Sequence, residues 1–317
     1  MSAVREAVQR EGRAIRVRGL VQGVGFRPTV WRLARDCGLS GDVRNDAEGV
    51  MIRAWGEPAA LDRFLLRLRG EPPPLARIDA LEANALEGQD KNRDFRIVGS
   101  HAGQVRTGVV PDAATCAACL EDVFDRSNRR YRYPFTNCTH CGPRLTIVRG
   151  IPYDRARTSM AGFAMCADCR AEYENPGDRR FHAQPNACPE CGPRVQLMRM
   201  DGRVIDPDAL GAVDEIEAAS RLLARGEIIA IKGLGGFHLA CDAGNPRVVA
   251  SLRARKHRYG KPFALLARDI DVIRRHCGAS AAEAALLASS AAPIVLLRAD
   301  GAERVAEAVA PGQGTLG

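Results

Sequence analysis

The chain has 317 residues, enough at roughly 100 to 200 residues per domain for two or three compact units and too many for one small module. With 46% hydrophobic and 26% charged residues it excludes wholesale disorder, and a net charge of +8 with only 5% aromatic residues favours anionic partners such as phosphate esters, nucleotides or nucleic acid over a long stacked single strand. No stretch reaches the ~18 apolar residues of a membrane helix, and the charged start Met1 to Arg13 lacks the apolar core of an export signal. A cytoplasmic location is expected.

After a tail over 1–12, residues 13–100 alternate strand and helix. Arg13 to Leu20 alternates apolar and basic residues as a half-buried strand does. Glycines break that pattern, Pro28 fits a first helical turn, and Val30, Leu33, Ala34 and Cys37 follow at helical spacing until Gly38 closes the helix. Gly49 to Trp55 is a second alternating strand. Leu61, Phe64, Leu65 and Leu68 mark a second amphipathic helix from Pro58 to Gly70. Arg77 to Leu86 and Asp94 to Val98 add strands, so the order βαββαβ predicts a ferredoxin-like α/β sandwich with two helices on one face of a sheet.

Residues 101–112 read as a linker, and 113–200 change in character. Cysteine, arginine, proline and asparagine replace apolar periodicity, a composition that hydrophobic burial alone does not fold. The segment is an internal repeat with an offset of 50 residues: Cys116 to Cys119 and Cys138 to Cys141-Gly-Pro-Arg recur as Cys166 to Cys169 and Cys188 to Cys191-Gly-Pro-Arg. Eight of the eleven cysteines fall in these Cys-x-x-Cys pairs, which in a chain without an export signal points to metal. The expectation is two closed structural Zn2+ sites, Cys116, Cys119, Cys138, Cys141 and Cys166, Cys169, Cys188, Cys191. An interleaved pairing of outer with inner pairs is the alternative, and redox chemistry the plainer reading of a lone pair. His140 and His182 could each replace a cysteine, but complete four-thiolate sets leave them no vacancy. Cys37, Cys241 and Cys277 read as core or incidental thiols.

A linker over 201–213 leads to 214–317, which is α/β again. A helix around Ile216, Ala219, Leu222 and Leu223 precedes an apolar strand Ile228 to Ile231, a glycine-rich turn Lys232 to Gly236, and a basic helix from Pro246 to Arg258. Pro262 to Ala267 and Pro293 to Arg298 read as strands. The expectation is that the sheet is left unclosed at Gly317 and that the chain is the N-terminal portion of something longer. The fold class is therefore α/β multidomain.

Two loops carry candidate chemistry. In Gln22, Gly23, Val24, Gly25, Phe26 and Arg27 the glycines let backbone N–H groups converge at a helix N-terminus, and the Arg27 fork can grip the same tetrahedral anion. The bland reading is a tight turn. Val17 to Arg27 resembles the acylphosphatase signature, and Gly41-Asp-Val-Arg-Asn45 followed by Gly49 resembles the second one. That likeness over 13–100 implies that Arg27 holds a phosphoryl group and Asn45 orients the attacking water. Asp42 departs from the family's aromatic residue, which bears on packing rather than on the anion. In the third domain Lys232, Lys256, Arg258 and Lys261 could converge on a polyphosphate, although a basic run is more often a solvated face. They match the basic positions of the YrdC-like nucleotide-binding domains, which make an adenylate from ATP. His238 reads equally well as a buried, hydrogen-bonded histidine.

Acylphosphatase-like domain, doubled cysteine module and incomplete YrdC-like domain, in this order, resemble the HypF family of carbamoyltransferases in [NiFe]-hydrogenase maturation. The resemblance implies hydrolysis of carbamoyl phosphate at the first domain and attack of the carbamate on ATP, with Mg2+, at the third. A further domain, expected to be missing here, would pass the carbamoyl group to the C-terminal cysteine of HypE. The alternative is a zinc-ribbon RNA-binding or tRNA-modification protein, and a further rival is a scaffold whose anion loop is idle.

Overall fold

The computed structural model describes residues 10–88, 93–101, 103–104, 106–233 and 235–317. Most of the expected tail, Ala102 and Val105 of the expected linker, and Leu234 of the glycine-rich turn lie outside the described residues. The chain divides into two compact units, Met1–Pro193 and Arg194–Gly317.

The first unit contains β1 (Glu11–Leu20), α1 (Phe26–Asp36), β2 (Ser40–Asp46), β3 (Gly49–Gly56), α2 (Pro58–Gly70), β4 (Arg77–Ala85) and β5 (Phe95–Ile97); β2, not read as a strand from its sequence, completes the βαββαβ order, and β5 is additional to it. The sheet runs β4-β1-β3-β2-β5, antiparallel except where β5 joins β2 in parallel. This is the ferredoxin-like sandwich with one added edge strand. Strand alternation sets the core: Ile15 and Val17 of β1 and Val50, Ile52 and Ala54 of β3 are buried beneath Val30, Leu33 and Ala34 of α1 and Leu61, Phe64 and Leu68 of α2. Gly38, left-handed at φ 70°, ends α1. Asp42 lies directly opposite Arg53 in the β2–β3 register and pairs with it at 2.6 Å.

The repeat region belongs to the same unit. It contributes α3 (Ala117–Phe124) and α4 (Ala167–Glu174), each capped by the first cysteine of a pair, Cys116 or Cys166. Its largest apolar cluster besides the cysteines is small, Tyr133, Ile147, Met160 and Ala187 with Phe135 and Phe163 against it. Polar cross-bracing takes over. Arg129 and Arg130 of the first repeat both reach Glu172 and the Cys169 sulfur of the second, while Arg179 and Arg180 of the second both reach Asp122 of the first, and Arg179 also reaches the Cys119 sulfur. Each of these residues has its counterpart 50 positions away, so the two repeats clasp each other symmetrically. Trp31 of α1 packs edge-on against Phe181, centroids 5.6 Å apart, and joins the repeats to the sandwich.

The second unit contains α5 (Glu215–Ala224), β6 (Ile229–Gly233), β7 (Gly236–Ala240), α6 (Pro246–Arg255), α7 (Ile270–His276), α8 (Ala281–Leu287), β8 (Leu297–Arg298) and β9 (Thr315–Leu316). It departs from expectation in several places. β6 pairs only with β7, and Ala230, Ile231 and Lys232 are exposed rather than buried; a two-stranded ribbon has no sheet to bury it. His238, on that ribbon, is exposed for the same reason. Helix α6 stops at Arg255 because His257 turns left-handed at φ 49°. Pro262 to Ala267 forms no strand: Phe263 and Leu265 donate single backbone bonds to Val309 and Gly317 without a ladder. Of Pro293 to Arg298, only the last two residues are strand.

Candidate anion site and metal centres

The loop from Gln22 to Gly25 connects β1 to α1, with Gly23 at φ 79° and Gly25, the residue before the helix, at φ 76°. Both conformations are costly for residues with a Cβ, and a Cβ on Gly25 would stand 3.0 Å from Thr139. The loop is fixed by side chains rather than by the sheet. Buried Gln22 donates its amide to the carbonyls of Asp46 and Gly49 at 2.7 and 2.8 Å, and its Oε1 accepts the N–H of Tyr153 at 2.9 Å. Arg144, fully buried, donates to the Gly23 carbonyl and to those of Pro143, Cys138 and Thr139. Its guanidinium thus bridges the loop to the Cys138–Cys141 knuckle.

Arg27 and Asn45 come together, with Val21, Gly23, Gly25, Phe26 and Pro28, around a cavity of about 20 Å3, the size of a water-sized group. Arg27 is buried, its Nη2 2.9 Å from Asp154 and its Nη1 3.3 Å from the Ser100 hydroxyl. Asn45 is buried with its Oδ1 unpartnered. Val24 lies in the same loop but is packed in the core.

The opposite wall comes from the repeat region and was not foreseen: Thr139, Arg144, Tyr153, His182, Ala183, Gln184 and Pro185. Burial first, and then the positive charge of Arg27, press the His182 imidazole down to about 4, so it is neutral at physiological pH. His182 lines this cavity and stands outside both cysteine sets, while His140 is exposed. One signal for Tyr153 and Asp154 was present in the sequence. They lie between the two cysteine repeats in Pro152-Tyr-Asp-Arg155, a stretch that the 50-residue offset does not reproduce.

The cysteines assemble in chain order and not interleaved, as Cys116, Cys119, Cys138, Cys141 and Cys166, Cys169, Cys188, Cys191, with the sulfurs of each set within 4.8 Å of one another. Contacts of 3.7 and 3.8 Å in the first set and 3.6 to 3.8 Å in the second match the edge of about 3.8 Å of a tetrahedron with Zn–S bonds of about 2.3 Å. Both sets fit a tetrahedral thiophilic ion.

In the second unit Lys256 and Lys261 are exposed, and the Lys232 ammonium lies 5.8 Å from the Phe237 ring centroid. Arg258 is turned inward, donating to the carbonyls of Lys261 and Pro262 and lying 5.2 Å over Phe263. Arg253 is buried and spent on carbonyls of Arg258, Tyr259, Lys261, Ala308 and Val309.

Three family models match stretches of the chain. Residues 13–97 match the Acylphosphatase model, 115–148 and 165–198 the HypF finger model, and 221–317 a model described as Telomere recombination. The chain is 56% identical over 303 residues to the carbamoyltransferase HypF of Rhodobacter capsulatus, covering 96% of this chain and 39% of the relative. It is 48% identical to the probable carbamoyltransferase HypF of Methanocaldococcus jannaschii, over 80% of this chain and 33% of that protein. Its first domain is 36% identical to the acylphosphatase of Lactobacillus gasseri, of which it covers 93%. Among solved structures, full-length HypF in a phosphate- and nucleotide-bound form superposes with a TM-score of 0.90 at 44% identity, over 99% of this chain and 40% of that one. HypF of T. kodakarensis superposes at 0.85 with 42% identity, over 97% and 38%. The chain therefore spans about two fifths of the length of these longer relatives.

Proposed function

Because the chain belongs to the HypF family, we propose that it hydrolyses carbamoyl phosphate at the Gln22–Arg27 loop as the first step of a carbamoyltransferase. The observation that carries this reading is the meeting of Arg27 and the unpartnered Asn45 Oδ1 on one small cavity above two left-handed glycines. Loop N–H groups and the Arg27 fork would hold the phosphoryl oxygens and spread their charge. Asn45 Oδ1 would accept a hydrogen bond from the water that attacks phosphorus and so orient it. Water adds to phosphorus as the P–O bond to the carbamoyl group breaks, giving inorganic phosphate and carbamate. An acyl phosphate has a good leaving group, so positioning and charge stabilisation suffice without a covalent nucleophile.

We assign Zn2+ to the two cysteine sets, where four thiolates each close the coordination sphere and leave no position for substrate. Zinc there supplies rigidity rather than chemistry. In the second unit, Lys232, Lys256, Arg258 and Lys261 are the candidate ligands of ATP, carried with Mg2+, for adenylation of the carbamate. The Arg258 guanidinium would have to leave the Lys261 and Pro262 carbonyls to join them. Transfer to the C-terminal cysteine of HypE belongs to the same reading.

The test is phosphate release from carbamoyl phosphate. Arg27→Ala is expected to lower kcat/KM by about 100-fold or more, the scale of losing one preorganised charge-stabilising donor. Release undiminished in that variant would overturn the assignment.

A further inference from the structure

We propose that the Tyr153 hydroxyl, supplied by the repeat region, donates a hydrogen bond to a phosphoryl oxygen of the anion held by the Gln22–Arg27 loop. This rests on the reading of that loop as a phosphoryl site and adds to it a ligand from outside the ferredoxin-like sandwich.

Four buried side-chain polar atoms lack a hydrogen-bond partner among the described residues: Arg44 Nε, Asn45 Oδ1, Asn137 Oδ1 and Tyr153 Oη. Two of these residues, Asn45 and Tyr153, line the same cavity, and the other two do not. Buried polar groups are almost always paired, so an orphan in a site points to a missing ligand. A tyrosine that served only to fill space would do so as phenylalanine without stranding a hydroxyl.

Tyr153 is also held where the proposal needs it. It is 1% exposed. Its N–H is bound to Gln22 Oε1, and its ring lies on the loop, 3.4 Å from where a Cβ on Gly23 would stand. Burial pushes the hydroxyl up to about 12, against the charge and N–H donors of Arg144; a guanidinium cannot accept, so the hydroxyl carries its proton at physiological pH with no acceptor for it among the described residues. A protonated hydroxyl is a donor suited to an oxyanion, as Asn45 Oδ1 is an acceptor suited to water. The two orphans are complementary to the two reactants.

The experiment is calorimetric titration of the full chain with inorganic phosphate. Tyr153→Phe keeps the ring and removes only the donor, and it is expected to raise the Kd for phosphate about tenfold or more with metal content and Tm unchanged. A Kd within twofold of the parent overturns the proposal, including where only the KM for carbamoyl phosphate rises, since the hydroxyl would then bind the acyl group. Should Tyr153→Phe lose metal or Tm, the parent protein answers instead: phosphate should produce a tyrosine ultraviolet difference band that Arg27→Ala abolishes, and its absence counts against the hydroxyl. Arg27→Ala is the separate arm, because phosphate binding retained there overturns the site itself, whatever Tyr153 does.

Discussion

Asp154 sits 2.9 Å from the Arg27 guanidinium, so a carboxylate from the repeat region holds the side chain proposed to grip the anion. The Arg27 side chain is 9% exposed and that of Asp154 31%. The ion pair keeps a desolvated cation compensated while the loop is empty, but it also competes with an incoming phosphoryl group. Asp154→Asn should separate the two effects. Phosphate affinity should rise several-fold as the competing charge disappears, while kcat falls by about tenfold because Arg27 is less tightly oriented. The variant's Tm should drop and recover more steeply with added phosphate than the parent's. Product inhibition and Tm across a phosphate series check both, and a fall in phosphate affinity would show that Asp154 only positions.

Metal and catalysis should be coupled through Arg144. Its guanidinium ties the carbonyls of Cys138 and Thr139, inside one thiolate knuckle, to the carbonyl of Gly23 in the anion loop. Chelation that empties the Cys116–Cys141 set should therefore reduce acyl phosphate hydrolysis along with the metal. Parallel loss of zinc and activity is expected when both are followed in one chelator time course. Full activity in metal-free protein would mean that the loop keeps its shape by itself.

Much of this was legible in sequence for identifiable reasons. Periodicity placed β1, α1, β3 and α2 because their apolar faces pack on one core, and the cysteine spacing named both ligand sets because coordination geometry is local. The far wall of the cavity was legible only as a break in the repeat: Tyr153, which lines it, is 131 residues from Gln22, whose Oε1 it meets, and neither periodicity nor spacing signals a contact that far apart. The second unit misled because apolar runs such as Ile228 to Ile231 read as buried strand, whereas burial depends on neighbours that a window of sequence does not contain. Arg253, inside the helix read as basic from Pro246 to Arg258, is a related case. A basic residue in a run looks solvated, yet this one is buried against five carbonyl-bearing residues.

The clasp between the repeats predicts effects in trans. Arg179 is in the second repeat but donates to the Cys119 sulfur at 2.9 Å, and Arg129 is in the first but donates to Cys169 at 3.3 Å. Such bonds fix thiolate ligands and offset their negative charge. Arg179→Leu should therefore speed metal release from the Cys116–Cys141 set by about tenfold and leave the other set nearly unaffected, with Arg129→Leu doing the reverse. Timed alkylation with peptide mass analysis distinguishes the two sets, and faster release from the variant's own repeat would refute the crossed arrangement.

The last prediction concerns acid. His182 is enclosed by Tyr173 and Phe181, with ring centroids 4.9 and 4.6 Å away, and senses both Arg27 and Asp154. Its imidazole falls to about 4 in the folded chain against about 6.5 in an unfolded one. Between those values the unfolded chain binds the additional proton, so stability is complete above about 6.5 and is lost as pH falls toward 4. A shift of that size corresponds to about 3 kcal/mol at most. His182→Asn should flatten the loss over this interval by one proton's worth. Asparagine tolerates the left-handed conformation that His182 adopts at φ 54°, so the substitution need not strain the turn. Denaturant midpoints at pH 7, 6 and 5 with zinc present test this. A slope unchanged by His182→Asn would place the acid sensitivity in the thiolates or carboxylates and leave this imidazole without a part in it.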